Sequence, residues 1–284
     1  MSVHRLVVWN ILEGMLKARH PADGRRHPDP PRREAGRALI ARLEPDLLVL
    51  NEALHCEPVY GQHEDYAALF GLPHQFARLY DGSWGNAILS RWPILETRER
   101  LITRRGPQQD RNLLAARIAL PAGPVWIVTY HPHPQRRPHN RALDFDGFLP
   151  ELEGEMVLAG DLNAISPEDG VDAAALAEAF AGFQRPDVAQ ASVTRILESG
   201  TALFRDTFPR HRLRDAVPPH ARGHTIPTPM LSTDLSSAMR IDHILATPGI
   251  RIHSAGPIRA PEADIASDHY PVEACFSLAG ASGP

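Results

Sequence analysis

Short apolar runs recur along the whole chain, and most of them stop at a polar residue able to do chemistry. Val3 to Trp9, Leu47 to Leu50, Ala87 to Ser90, Leu113 to Leu120 and Val125 to Tyr130 read as strands, as do Met156 to Ala159, Ile241 to Ala246 and Val272 to Leu278. The last alternates, with Val272, Ala274, Phe276 and Leu278 on one face and Glu273, Cys275 and Ser277 on the other. Several of the others are apolar on both faces, which suits strands covered on both sides. Helical spacing appears between them. Glu34 to Glu44 puts Ala35, Ala38, Leu39 and Leu43 on one face and stops before Pro45. Asn140 can cap a helix carrying Phe145, Phe148, Leu149 and Leu152. Leu176, Phe180 and Phe183 mark a third helix, and Ala189 to Glu198, closed by Gly200, a fourth.

Many strands with helices interleaved predict an α/β fold of two packed, mainly antiparallel sheets with helices on their outer faces. No linker or repeat divides the chain, so one domain over residues 1–284 is expected, with a flexible tail after about residue 279. Pro121-Ala122-Gly123-Pro124 joins two of the strands as a hairpin. Pairing outward from it puts Leu114 near His131 and brings Arg111 to the same end.

Composition narrows the picture modestly. The net charge of −4 disfavours a dedicated binder of duplex nucleic acid, which usually carries a basic excess. No segment is long and apolar enough to read as a membrane span. Cys56 and Cys275 fit no metal or redox spacing, and the first residues lack a signal-peptide pattern, which together point to a reduced, cytoplasmic protein. Most of the 15 histidines lie in polar or proline-rich stretches and read as solvated loop residues.

The chemistry lies at the strand ends. Asn10 ends the first strand, Asn51-Glu52 the second, and His131 the strand containing Thr129. The run Met156 to Ala159 leads into Gly160-Asp161-Leu162-Asn163, where Gly160 allows a sharp turn. On a still-extended chain, Asp161 and Asn163 point the same way, a proton-accepting carboxylate beside a neutral amide. Asp242 lies inside the apolar segment Ile241 to Leu245, where a carboxylate is costly unless paired or bound to a metal. Asp268-His269 opens the last strand; for both side chains to serve one site, the backbone must bend there.

In order, these segments resemble the endonuclease/exonuclease/phosphatase superfamily, the metal-dependent phosphoesterases built like pancreatic deoxyribonuclease. The matching stretches are Trp9-Asn10, Pro45-Asp46 through Asn51-Glu52, Gly85 to Ile94, Thr129-Tyr130-His131, Gly160 to Asn163, His224-Thr225, Arg240 to Ile244 and Ser267 to Val272. The resemblance implies a four-layer α/β sandwich and hydrolysis of a phosphate ester by activated water. It also implies Mg²⁺, with Mn²⁺ a substitute, held by Glu52 with Asn10 and Asp268. Asp161 is implied as the base, or alternatively as a metal ligand, oriented by Asn163. His269, held by Asp242, would donate to a phosphoryl oxygen, and His131 would stabilise developing charge. Asn86 and Thr225 are supporting candidates. Leu12 stands where the nuclease branch often places an acidic residue, which weakens a DNA-repair reading.

Two polar loops leave from these residues, Glu13 to Arg33 and Pro132 to His139. With Arg25, Arg26, Arg32, Arg33, Arg136 and Arg137, and with Arg104, Arg105 and Arg111, they are expected to form a basic collar focusing a small anionic phosphorylated substrate. A DNA or RNA nuclease and a non-catalytic binding module on the same fold are the competing expectations. The helices between residues 167 and 200 are expected to cover the pocket.

Overall fold

The computed structural model of the chain describes residues 2–18, 21–22, 27–53, 65–81, 84–103 and 110–279. Arg25, Arg26, Arg104, Arg105, Cys56 and the tail after residue 279 lie outside the described residues. The elements run β1 (His4–Asn10), the single turn α1 (Leu12–Met15), α2 (Pro30–Leu43), β2 (Leu47–Ala53), α3 (Tyr66–Phe70), β3 (His74–Asp81), β4 (Trp84–Ser90), β5 (Ile94–Ile102), β6 (Arg111–Leu120) and β7 (Gly123–Tyr130). Then come α4 (Pro138–Phe148), β8 (Met156–Asp161), α5 (Ala173–Ala181), α6 (Pro186–Thr201), α7 (Phe208–Arg210), β9 (Arg214–Asp215), β10 (Asp242–Ala246), β11 (Ile250–Pro257), α8 (Pro261–Ala266) and β12 (Val272–Leu278).

The strands form two six-stranded sheets, ordered β11-β12-β1-β2-β4-β3 and β5-β6-β7-β8-β10-β9. Every pairing is antiparallel except β1 with β2 and β7 with β8. Each parallel pair is joined by a crossover helix, α2 in the first sheet and α4 in the second, as a parallel connection requires. The inner faces meet in one apolar core that includes Leu6, Val8, Val49, Ile88, Leu114, Ile127, Ala159, Ile244 and Phe276. The outer face of the first sheet packs on α2 and α8 through Trp9, Leu39, Leu50 and Ala263, and that of the second on α4 through Val128, Phe145 and Leu158. The expected α/β sandwich with helices outside is therefore the observed fold.

Several local expectations shift. The hairpin turn is the two residues Pro121-Ala122, with Leu120 paired to Gly123, because Gly123 at φ 131° already enters the strand. The register moves by two residues accordingly: Leu114 faces Thr129, not His131 as expected, and Leu113 faces Tyr130. Asn140 lies inside α4, which starts at Pro138 with Arg137 before it. Gly200 does not end its helix, which runs on through the wide π-helical turn Ala202–Thr207. Gly200 is needed because the Ile165 carbonyl lies against it, leaving no room for a Cβ. Gly160 has a similar reason. It stays within β8, and a Cβ there would sit 2.5 Å from the Tyr130 carbonyl oxygen of the neighbouring parallel strand.

Candidate active site

The parallel pairs bring the C-terminal ends of β1, β2, β7 and β8 to one edge of the sandwich, the place where open α/β sheets present their ligands. Asn10 ends β1, and Asp161 ends β8 directly opposite Asp242 of β10. The two sheets touch here. Asn10 Nδ2 donates to Asp161 Oδ2 at 3.0 Å and to Glu52 Oε1 at 3.3 Å, so one amide bridges carboxylates from both halves.

Glu52 reaches the site through a β-bulge. The β2–β4 register slips between Asn51 and Ala53, and Glu52 takes a left-handed backbone at φ 52°. A bulge re-aims a side chain that would otherwise follow the strand's alternation. The Glu52 carboxylate also accepts the Glu13 backbone N–H at 3.1 Å. Desolvation, followed by repulsion from Asp268, pushes its pKa up to about 7. The bend expected at Asp268-His269 is present, since β12 begins only at Val272. Ser267 Oγ shapes this bend, donating to the Asn10 carbonyl at 2.6 Å and accepting from the His269 backbone N–H. Trp9 Nε1 donates to the His269 carbonyl at 2.9 Å.

His269 Nδ1 lies 2.8 Å from Asp242 Oδ2, and its Nε2 lies 3.9 Å from Asp161 Oδ2. Burial works against the protonated ring, but Asp242, Asp268 and Asp161 outweigh it and hold its pKa well above the ordinary histidine value. His131 behaves in the opposite way. Its Nε2 sits 3.3 Å from Asp161 Oδ2, yet burial dominates and pushes its pKa down to about 3, with Arg111 adding to the effect. Burial and neighbouring charge thus favour the protonated form of one ring and the neutral form of the other, on either side of one carboxylate.

Asn163 departs from the extended arrangement expected for it. Its backbone is left-handed at φ 46°, which asparagine tolerates. Its backbone N–H donates to Asp161 Oδ1 at 2.9 Å, while its side-chain amide donates to the Pro132 carbonyl at 3.0 Å. Asp161 is thus oriented by the main chain of Asn163, and the side chain ties this loop to the one carrying His131.

The supporting candidates lie behind the site. Thr225 Oγ1 accepts the backbone N–H groups of Ile241 and Asp242 and so fixes Asp242. Asn86 is fully buried in a chain of side-chain amides. Asn51 Oδ1 accepts the Asp161 backbone N–H at 2.8 Å; Asn51 Nδ2 donates to Asn86 Oδ1 and Thr129 Oγ1. Asn86 Nδ2 donates to Asn112 Oδ1, and Asn112 Nδ2 to Glu99 Oε1. This chain carries the orientation of Asp161 from the second sheet into the first. Neither Asn112 nor Ser267 stood out in the sequence, because a buried asparagine or serine has no pattern until its partners are known.

The basic collar is only partly present among the described residues. Arg32 is buried on the first turn of α2 and does not lie in a solvated loop. Arg136 forms a two-pronged ion pair with Asp144, which also accepts the Tyr130 hydroxyl at 2.6 Å. Arg137 is exposed at the start of α4, and Arg111 is buried beside His131. α5 and α6 pack on Ile165 and Ile241 in a small separate cluster.

Two carboxylate groups could meet a cation. Asp161, Asp242 and His269 offer ligand atoms that all lie within 4.8 Å of one another. There the His269 ring, whose protonated form is favoured, offsets only part of the negative charge, and its Nδ1 is already engaged by Asp242. Glu52 and Asp268 present hard carboxylate oxygens beside the Asn10 amide, whose Oδ1 is taken by the Leu12 backbone N–H, and a divalent cation would relieve both the desolvation and the Asp268 repulsion that raise the Glu52 pKa. The donor set at Glu52 therefore fits Mg²⁺ or a similar ion better.

A two-sheet α/β sandwich with a carboxylate-histidine site at its strand ends is the build of a phosphoesterase. The chain belongs to the endonuclease/exonuclease/phosphatase family, whose sequence profile matches residues 7–269. This is a family of hydrolytic phosphoesterases and nucleases. No curated protein matches by sequence. Similar solved structures include an endonuclease/exonuclease/phosphatase from Beutenbergia cavernae, 22% identical over 98% of this chain and 72% of that one, with a TM-score of 0.64. An AP endonuclease from Archaeoglobus fulgidus is 16% identical over 97% of this chain and 100% of that one, with a TM-score of 0.65. TDP2 from D. rerio, complexed with a single-strand DNA product, is 17% identical over 98% and 100%, with a TM-score of 0.61. At these identities the likeness is one of fold.

Proposed function

We propose that the protein is a divalent-cation-dependent hydrolase of a phosphate ester in a small anionic substrate, acting by direct attack of water. The observation that carries this reading is the convergence on Asp161 Oδ2 of Asn10 from one sheet, His131 from the other, and the protonated His269. Asp161 accepts the proton of the attacking water, held in orientation by the Asn163 backbone N–H and by Asn10. His269, fixed by Asp242, presents its Nε2–H to a phosphoryl oxygen as a charged donor. His131 stays neutral and donates without adding a charge that would bind Asp161 too tightly. Glu52 and Asp268, with Asn10 beside them, would hold a divalent cation, which would supply charge neutralisation and orientation of the phosphate. Mg²⁺ is the ion this oxygen-rich set suits, with Mn²⁺ a substitute.

The substrate is read as small because the chain carries a net charge of −4 and the described part of the expected collar is largely committed to internal contacts. A nucleic-acid substrate is the second reading, favoured by the DNA product in the TDP2 structure and by the AP endonuclease likeness. A panel of phosphorylated metabolites and bis-nitrophenyl phosphate, assayed with Mg²⁺ and with chelator, tests the first reading. Chelator-sensitive phosphate release is expected. Plasmid nicking with no turnover of any small ester would transfer the assignment to the second reading, and inactivity throughout would contradict both.

A further inference from the structure

Two buried arginines, Arg32 and Arg141, do the same thing on opposite sides of the site. Arg141 of α4 is fully buried and directs five hydrogen bonds at main-chain carbonyls. Its Nη1 donates to Leu162 and Asn163 at 2.8 and 2.6 Å, its Nη2 to His133 and Pro134 at 3.2 and 2.9 Å, and its Nε to Arg136 at 3.1 Å. The first pair belongs to the loop after β8, which carries Asn163 next to Asp161. The others belong to the loop after β7, which carries His131. Arg32 of α2 acts likewise. It donates to the carbonyls of Ile11, Leu12 and Leu16 after β1, and to Ala266 just ahead of Asp268-His269, at 2.9 to 3.2 Å.

Each arginine sits near the start of the crossover helix of a parallel strand pair, so each βαβ unit carries its own clamp over the loop its first strand feeds. Each also grips strained backbone. Leu12, Glu13, Gly14 and Met15 form a left-handed turn, and Arg32 holds the carbonyls of Leu12 and of the residues flanking the turn. Arg141 holds the carbonyl of left-handed Asn163. A non-glycine residue is disfavoured in this region, and such strain persists only where surrounding contacts over-determine it. A guanidinium suits the task, since its planar fork reaches several carbonyls at once and an ammonium does not.

We propose that Arg32 and Arg141 are paired positioning residues: Arg141 sets the loops of Asp161, Asn163 and His131, and Arg32 sets the loops of Asn10 and Asp268-His269. The inference rests on the hydrolytic reading of the site for its kinetic consequences but not for its structural ones. The test is therefore run twice on the full chain, with Arg141→Ala, Arg141→Lys, Arg32→Ala and Arg32→Lys. Hydrogen exchange by mass spectrometry needs no activity. Arg141 variants are expected to speed exchange at least tenfold in segments 131–137 and 161–165 while sparing 10–16 and 266–269; Arg32 variants show the reverse. Uniform acceleration everywhere, or no change, overturns the proposal, and the lysine variants supply the answer if the alanine variants fail to fold.

Kinetics then use bis-nitrophenyl phosphate. Arg141→Ala is expected to lose roughly 100-fold in kcat with KM within about threefold, the scale of a misplacement near 1 Å. Methylguanidinium at millimolar concentration is expected to restore at least tenfold of that loss, which a general loss of stability would not allow. Arg32→Ala is expected to weaken Mg²⁺ binding measured by calorimetry, with less effect on kcat at saturating Mg²⁺. If wild type is inactive, the hydrolytic reading fails while the exchange pattern still judges the clamps. If wild type is active and both alanine variants match it, the clamps fail alone.

Discussion

The two halves of the site solve opposite electrostatic problems. The first-sheet half, with Asn10, Glu52 and Asp268, buries one carboxylate beside another, and desolvation followed by repulsion from Asp268 raises the Glu52 pKa to about 7. The second-sheet half, with His131, Asp161 and Asp242, is buried and closes on itself: Asp242 takes His269, and Asp161 takes donors from three directions. His131 there is driven to about 3 because burial outweighs the neighbouring carboxylate. The contrast teaches a division of labour. On the proposed function, the first half would be completed by an added positive charge, and the second would hold its proton-handling groups fixed whether or not that charge had arrived.

The largest expected effect comes from removing Asp161, the base of the proposed mechanism. Asp161→Asn should lower kcat about 10³-fold, within the range for general bases, with unchanged Mg²⁺ affinity. A variant that keeps its turnover would move the proton chemistry out of the second half. Glu52→Gln addresses the first half and should weaken Mg²⁺ binding roughly 100-fold or more by calorimetry, at least the loss seen when supporting groups of metal sites are removed. Equal cation affinity in this variant would transfer the cation to the Asp161, Asp242 and His269 group. Asn51→Leu cuts the amide chain that joins the halves. It strands the Asp161 backbone N–H and Asn86 Oδ1, and urea unfolding should show a loss of about 3 kcal/mol. An unaltered unfolding midpoint would mean that the halves do not depend on this chain.

The smallest effect is on the pH dependence of stability. His131 and His243 are neutral when folded, with pKa values pushed down to about 3 and about 4, chiefly by burial. Their lowered values mean that stability is present above the ordinary histidine value near 6.5 and falls as pH drops below it. Glu52 has the opposite sign. Its raised value makes the neutral form the favoured one, so the cation-free protein loses stability as pH rises through about 7. Melting temperatures of the chelated protein should peak between these limits, and Mg²⁺ should lift the alkaline side selectively. A Mg²⁺-induced rise in melting temperature that is equal at pH 5 and pH 8 would contradict the contrast.

What was legible in the sequence follows the same physics. The central strands β1, β2, β4, β6, β7, β8, β10 and β12 are covered on both faces and read as apolar runs. The four strands without such a run, β3, β5, β9 and β11, are the edges of the two sheets. Edges carry charge, as Glu96, Arg98, Glu99 and Arg100 do along β5, and charge hides a strand from a search for hydrophobicity. The candidate site residues that the structure brings together were legible as a set because they lie at or near the ends of apolar strands in a family order. Their supports were not. Arg32 and Arg141 look like solvent-facing charge in a proline-rich stretch until the backbone folds its carbonyls around them. Asn51, Asn112 and Thr129 acquire meaning only across the sheet-to-sheet contact.

Calorimetric titration of the metal-free protein with Mg²⁺, at pH 6 and pH 8.5 and in buffers of different ionisation enthalpy, tests the division of labour most directly. The account predicts tighter binding at the higher pH and release of close to one proton at pH 6. At pH 8.5 it predicts almost no release, and Glu52→Gln should abolish the difference. Binding that is independent of pH, or that releases a proton unchanged in Glu52→Gln, would contradict it.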